Sequence, residues 1–138
     1  MKIAQTRIEI ENCFAVMHEL RPHLVVSEFI EIIKGLSKNY GYKLAYLEDG
    51  GEIVSVAGIR VGEWLYKGKY LEIEDLITKE GRRSEGFGGG LFDDIVCYAR
   101  ELNCDQVRLV SGVKRELAHK FYLEKGMEFE AKYFSINL

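Results

Sequence analysis

The segment Gly81-Arg82-Arg83-Ser84-Glu85-Gly86-Phe87-Gly88-Gly89-Gly90 decides how the chain is read. Before it, Tyr70–Thr78 reads as a strand. After it, Leu91, Ile95, Ala99 and Leu102 recur at helical spacing. The segment therefore starts a helix with four glycines, at 86 and 88–90, although a glycine inside a helix costs about 1 kcal/mol relative to alanine. It also places Arg82 and Arg83 at the helix end where the macrodipole disfavours cations. Both choices weaken local structure, and both make sense if the turn holds an anion. Backbone N–H groups at a helix start bind phosphate, glycine lets the ligand approach, and arginine adds charge-assisted hydrogen bonds. A surface loop with solvated arginines is the alternative. No Gly-Lys-Ser/Thr follows, so a Walker loop does not fit, and Leu91 occupies the position where a dinucleotide fingerprint needs its third glycine.

Working outward, Ile3–Ile10 reads as a first strand. Cys13, Val16, Met17 and Leu20 then mark a helix that Pro22 ends. Ser27 is the expected N-cap of a second helix with the apolar stripe Phe29, Ile32, Ile33, Leu36 and Tyr40, stopped by Gly41. Tyr42–Leu47 and Ile53–Val61 flank Asp49-Gly50-Gly51, a hairpin signal, and a turn at Lys67-Gly68-Lys69 leads into Tyr70–Thr78. Beyond the glycine-rich turn follow a short strand at Val107–Val110, a helix at Glu116–Lys125 and a last strand at Glu128–Ile136. A meander followed by alternating elements implies a mixed α+β fold with helices on the sheet faces.

With 138 residues the chain is expected to form a single domain over 1–138. Hydrophobic residues at 47% and charged residues at 30% fit a globular protein and argue against disorder. A net charge of −3 gives no basic footprint for nucleic acid. The N-terminus lacks an apolar signal region and no stretch is apolar enough to span a membrane, so a cytoplasmic location is expected. Cys13, Cys97 and Cys104 lack metal-ligand spacing and are expected to be reduced packing thiols. No His/Cys/carboxylate cluster suggests a metal. His18, His23 and His119 read as surface residues, and Trp64 with Tyr66 as packing groups or part of a pocket or dimer surface.

The spacing Arg83-x-x-Gly86-x-Gly88, preceded by Arg82, resembles the pyrophosphate motif of the GNAT N-acetyltransferase superfamily. Ala118-His119-Lys120-Phe121-Tyr122-Leu123-Glu124-Lys125-Gly126-Met127 resembles that family's helix-to-strand segment, and Ile73–Thr78 its strand before the pyrophosphate loop. The likeness is closest over residues 70–130. Met127 replaces the usual aromatic, and Arg115 stands where many members carry asparagine. The resemblance implies a bent, mostly antiparallel mixed sheet whose central parallel strands, Tyr70–Thr78 and Val107–Val110, splay apart. It implies acetyl-CoA as co-substrate, with Leu76, Ile77 and Thr78 at the pantetheine. Arg82, Arg83, Gly86, Phe87, Gly88, Gly89 and Gly90 would hold the pyrophosphate. A small-molecule amine is the implied acceptor, and a homodimer is an assembly the fold admits.

An alkyl amine has a pKa near ~10.4, so a base must remove its proton before attack on a thioester. Glu72 and Glu74 alternate onto one strand face, which is costly unless that face meets water or a cation. Glu72 lies where some GNAT enzymes carry their base, so it is preferred, with Glu74 second; a solvated strand face explains either residue singly. Asp75 is expected to point the other way unless a bulge intervenes. Tyr122 falls at the family's general-acid tyrosine. The competing functions are a non-catalytic acyl-CoA-binding module of the same fold and a domain for another phosphate ligand.

Overall fold

Thr6 starts the first helix well inside the apolar run Ile3–Ile10. In the computed structural model, which describes residues 1–138, only Lys2–Ile3 forms strand β1, and α1 spans Arg7–Leu20. The Thr6 hydroxyl accepts from the Glu9 amide at 3.2 Å, and the Glu9 carboxylate accepts from the Thr6 amide at 2.8 Å. This reciprocal capping box outweighs the β-branched residues around it. Helix α2, Val26–Tyr40, begins after Val25 rather than Ser27 and has no side-chain cap; Gly41, left-handed, ends it.

Strands β2 (Lys43–Asp49), β3 (Glu52–Trp64) and β4 (Gly68–Thr78) form the expected meander. A 3₁₀ turn at Glu80–Arg82 leads to α3 (Phe87–Glu101), then β5 (Gln106–Leu109) and α4 (Glu116–Glu124). The sheet order is β1-β2-β3-β4-β5, and β1 to β4 pair antiparallel throughout. The Asp105 amide bonds the Lys69 carbonyl, and Arg108 bonds Glu72. These contacts advance together, so β5 runs parallel to β4 and the sheet is mixed. At that offset Arg108 falls level with Glu72, and β4 continues on to Thr78.

Cys13, Met17, Phe29, Ile33, Leu44 and Val56 belong to one core between α1, α2 and the sheet. The neighbours Ala57 and Ile59 on β3 are also buried, and α3 buries Leu91, Phe92, Ile95 and Ala99 against the sheet. Both faces of β3 are therefore covered, which explains its nearly unbroken apolar run.

The chain divides into two compact units, Met1–Arg108 and Leu109–Leu138. In the second, the strand expected at Glu128–Ile136 is not formed: residues after Gly126 have no regular structure. Phe129, Tyr133, Phe134 and Ile136 are exposed there. The sequence supplies strand-forming side chains, but a strand also needs a ladder partner, and this segment has none.

Thr6→Ala should lower the unfolding free energy by about 1 kcal/mol in urea at neutral pH. Bonds from the Thr6 and Gln5 amides hold the Glu9 carboxyl down at about 2, from an ordinary 4.5. A depressed acid stabilises the fold above its unfolded value and loses that contribution as pH falls through the folded one. Glu9→Gln should therefore flatten stability against pH between about 4.5 and about 2, read from urea midpoints across that window.

Candidate functional site

One extra residue in β4 organises the acidic side of the site. Gly58 of β3 pairs with Asp75 and Ile59 pairs with Ile73, so Glu74 is the additional residue of a β-bulge. Leu71 and Ile73 are buried, and Glu72 and Glu74 alternate away from them. The bulge resets that alternation. Asp75 consequently shares a cavity with Glu74 instead of pointing away from it. Gly58 is needed opposite: a Cβ there would lie 1.9 Å from the Tyr42 hydroxyl oxygen. That hydroxyl instead donates to Asp75 Oδ2 at 3.2 Å.

The cavity, about 300 Å³, is enclosed by α1, the α1–α2 loop, α2 and the bulged part of β4. Its polar groups are Arg21, His23, Tyr42, Glu74 and Asp75. Arg21, the C-cap residue of α1, contacts Asp75 Oδ1 through Nη2 at 2.7 Å and donates to it from Nε at 2.9 Å. The charge of Asp75 is thereby matched.

Glu74 is less well matched. Arg60 Nη2 donates to Glu74 Oε2 at a long 3.3 Å, and Arg60 Nε lies 2.9 Å from Oε1 but too far off line for a hydrogen bond. Burial pushes the Glu74 carboxyl above its usual value; Arg60 opposes this, while Glu72 and Asp75 add to it. Such a carboxyl holds a proton more readily than an exposed one. Glu72 is held otherwise. Arg108 Nη2 donates to Glu72 Oε2 at 2.6 Å, and its guanidinium is stacked 3.9 Å from the Trp64 ring centre and 3.6 Å from that of Tyr70. Trp64 thus packs against a buttress of the strand. Of the two strand carboxylates, only Glu74 lines the cavity.

The glycine-rich turn forms the other half of the site. Gly86 is left-handed, with φ +88°, and is the N-cap of α3. It supplies no side-chain cap, and the first turn contains no acid. The first amides of α3, from Phe87 to Gly89, are those that an α-helix leaves without internal partners. Gly90 donates back to the Gly86 carbonyl. A Cβ on Gly88 would meet Thr78 Oγ1 at 2.7 Å, so glycine lets the turn lie against the end of β4.

The two arginines have different surroundings. Arg82 binds Asp49 at 2.6 Å, Glu52 at 2.9 Å and Glu85 at 3.0 Å, and lies over Phe87. Its charge is committed to the protein. Arg83 donates from Nε to the Thr78 carbonyl and makes a long 3.4 Å contact with Glu19, while its side chain remains about half exposed at 52%. An uncapped helix start beside an accessible arginine fits a pyrophosphate.

In the second unit, Tyr122 lies on α4 with its ring edge-on to Phe121. Burial raises its phenol and Arg115 partly opposes the shift, so the group stays protonated at neutral pH. His119 lies on an open face of the same helix with Lys120 and Leu123. In the first unit Cys13 is buried, which pushes its thiol up to about 12, as suits a packing residue.

Sequence reasoning placed Asp75 on the other face unless a bulge intervened, as it does, and missed Arg60, Arg21 and Tyr42. Gly58 inside the apolar run of β3 was the available signal, because an isolated glycine in a strand marks a bulge or a close approach.

Comparison with known proteins bears on the family and the fold. The family model described as Acetyltransferase (GNAT) family matches residues 7–129. An uncharacterized N-acetyltransferase of Bacillus subtilis (strain 168), YhdJ, is 30% identical over 135 residues, covering 97% of this chain and 95% of that protein. A GNAT family acetyltransferase from Staphylococcus aureus superposes with a TM-score of 0.82 at 17% identity, over 99% of this chain and 96% of that one. An aminoglycoside N-acetyltransferase solved in complex with CoA gives 0.84 at 10% identity, over 99% and 93%. These two structures share the fold. The family match over most of the length, the related sequence and the mixed sheet place the chain in the GNAT acetyltransferase family, as an N-acetyltransferase.

Proposed function

We propose that the protein transfers an acetyl group from acetyl-CoA to a primary amine of a small molecule by direct attack, with Glu74 as base and Tyr122 as acid. The observation that carries this reading is the position of Glu74, a carboxylate raised by burial that lines a cavity beside the bulge, on the strand whose far end meets the uncapped start of α3. Acetyl-CoA supplies the activated acyl group as a thioester. The amides from Gly86 to Gly89 and the Arg83 guanidinium would hold its pyrophosphate, with the Gly90 amide closing the first turn on the Gly86 carbonyl, and backbone groups of Leu76, Ile77 and Thr78 would hold its pantetheine. Arg82 supports the turn from below through Asp49, Glu52 and Glu85.

Glu74 receives a proton from the acceptor ammonium, directly or through water, and leaves the amine nucleophilic. Glu72 tunes Glu74 through its charge, with Arg108 fixing it in place. The Tyr122 phenol holds the proton that the departing sulfur requires. The family match makes an acyl-CoA-binding module without catalysis the poorer reading, since a sensor has no need of a desolvated carboxylate in an amine-sized cavity. A homodimer and a cytoplasmic location belong to the same proposal; no helix is long and apolar enough to cross a membrane.

Isothermal titration with acetyl-CoA should show binding that Arg83→Ala weakens roughly tenfold or more, the scale of a charge-assisted contact. No binding to the unaltered protein would overturn the reading. Arg82→Ala should instead lower the thermal midpoint, because it removes the ion pairs to Asp49, Glu52 and Glu85 and leaves Glu52 with Lys79 alone.

Glu74→Gln should reduce kcat by about 10²-fold or more with coenzyme affinity unchanged. Because burial raises Glu74, the unaltered enzyme should lose activity on acidification at a pH above the ordinary carboxylate value of 4.5. The base works only when deprotonated, so activity falls as pH drops through its pKa. The pH profile of kcat/KM checks this, and a Glu72→Gln variant should move the limb downward by removing a neighbouring negative charge. Tyr122→Phe should lower kcat while leaving the acetyl-CoA titration unaltered; equal rates in the two proteins would remove Tyr122 from the chemistry.

A further inference from the structure

We infer that the acceptor is a primary monoamine with a compact apolar body, in preference to a polyamine or an aminoglycoside. This rests on the acetyl-transfer reading above and names the substrate class of the same site. The cavity wall is built from Met17, Leu24, Phe29, Ile32, Ile33 and Leu36. Met17, Phe29 and Ile33 are buried beneath it, whereas Ile32 is 43% exposed at its rim. Apolar side chains left open around a concave polar floor are the usual composition of a small-ligand pocket.

The floor offers one place for one positive charge. Asp75 is already matched by two contacts from Arg21 and a hydrogen bond from Tyr42. Glu74 has only Arg60, with Nε off line at 2.9 Å and Nη2 donating at 3.3 Å, so its carboxylate keeps an acceptor position for an ammonium. A second or third ammonium on the same ligand would meet Arg21, or would lose water against the Leu24, Ile32 and Leu36 side chains without a partner. An unpaired charge taken out of water is strongly disfavoured. An apolar body meets neither penalty and gains from the area it covers.

The probes are 2-phenylethylamine and spermidine, titrated into the full chain with and without saturating coenzyme A. 2-Phenylethylamine should bind at least about tenfold more tightly than spermidine, in line with the discrimination an apolar pocket provides. Ile32→Lys, at an exposed rim position that should not affect folding, should weaken 2-phenylethylamine binding by a similar factor. Spermidine binding as tightly or more tightly, no binding of 2-phenylethylamine in either condition, or an affinity insensitive to Ile32→Lys would each overturn the inference. A separate acetyl-CoA titration judges the underlying reading. Coenzyme binding with spermidine preferred defeats only the monoamine assignment, whereas absent coenzyme binding defeats the acetyl-transfer reading itself.

Discussion

The bulge at Glu74 is the constraint on which the rest of the site depends. In an unbroken strand Glu72, Glu74, Leu76 and Thr78 would share one face. The extra residue moves Asp75 and Ile77 to the face of Glu74, so Asp75 reaches Arg21 and Tyr42 and Ile77 packs on the α1–α2 core. Thr78 is left to meet Ser55 and the glycine-rich turn. The partner strand accommodates this by having no side chain at Gly58, where the Tyr42 ring would otherwise collide. Sequence, register and site chemistry therefore meet in a local irregularity of one residue.

The same irregularity explains how so many charges share a small sheet face. Three arginines answer three acids: Arg108 for Glu72, Arg60 for Glu74 and Arg21 for Asp75. Partly buried carboxylates need such partners, since unpaired they would take up protons. The pairings are unequal. Arg108 is fixed between two aromatic rings and meets Glu72 at 2.6 Å, while Arg60 approaches Glu74 off line. A structural ion pair would be expected to close its geometry. The one left open belongs to the carboxylate that faces the cavity, and strained or incomplete pairing of this kind is more often found at working sites than in scaffolds.

Much of this architecture was legible before any coordinates. The hairpin at Gly50-Gly51, the helix stripe from Phe29 to Tyr40 and the glycine-rich start of α3 are local signals, and they matched the observed elements. What escaped depended on competition or on distance. Thr6 and Glu9 form a capping box that outweighs the β-branched residues of Ile3–Ile10, because a satisfied helix start decides more than strand propensity. Phe129, Tyr133 and Ile136 have strand-forming side chains, yet no ladder forms there. Arg82 and Arg83 look equivalent in sequence. Only the fold brings Asp49 and Glu52 beside the first and leaves the second half exposed.

Both halves of the proposed reaction lie along β4. At about 3.3 Å per strand residue, Glu74 stands roughly 13 Å from Thr78, which touches the turn that starts α3. A single hydrogen-bonded strand, braced by β3 along its whole length, fixes that separation. A loop would let the two drift by ångströms, and misplacement of that order removes much of the advantage of holding reactants together. The bulge then does what a regular strand could not: it sets Asp75 beside Glu74 at the cavity, between Ile73, committed to the core, and Leu76, whose amide lies further along the same strand. The fold places its rigidity in the strand that would carry the proposed base, while Leu24 of the α1–α2 connection lines the cavity from outside the sheet, on a segment free to vary without disturbing it.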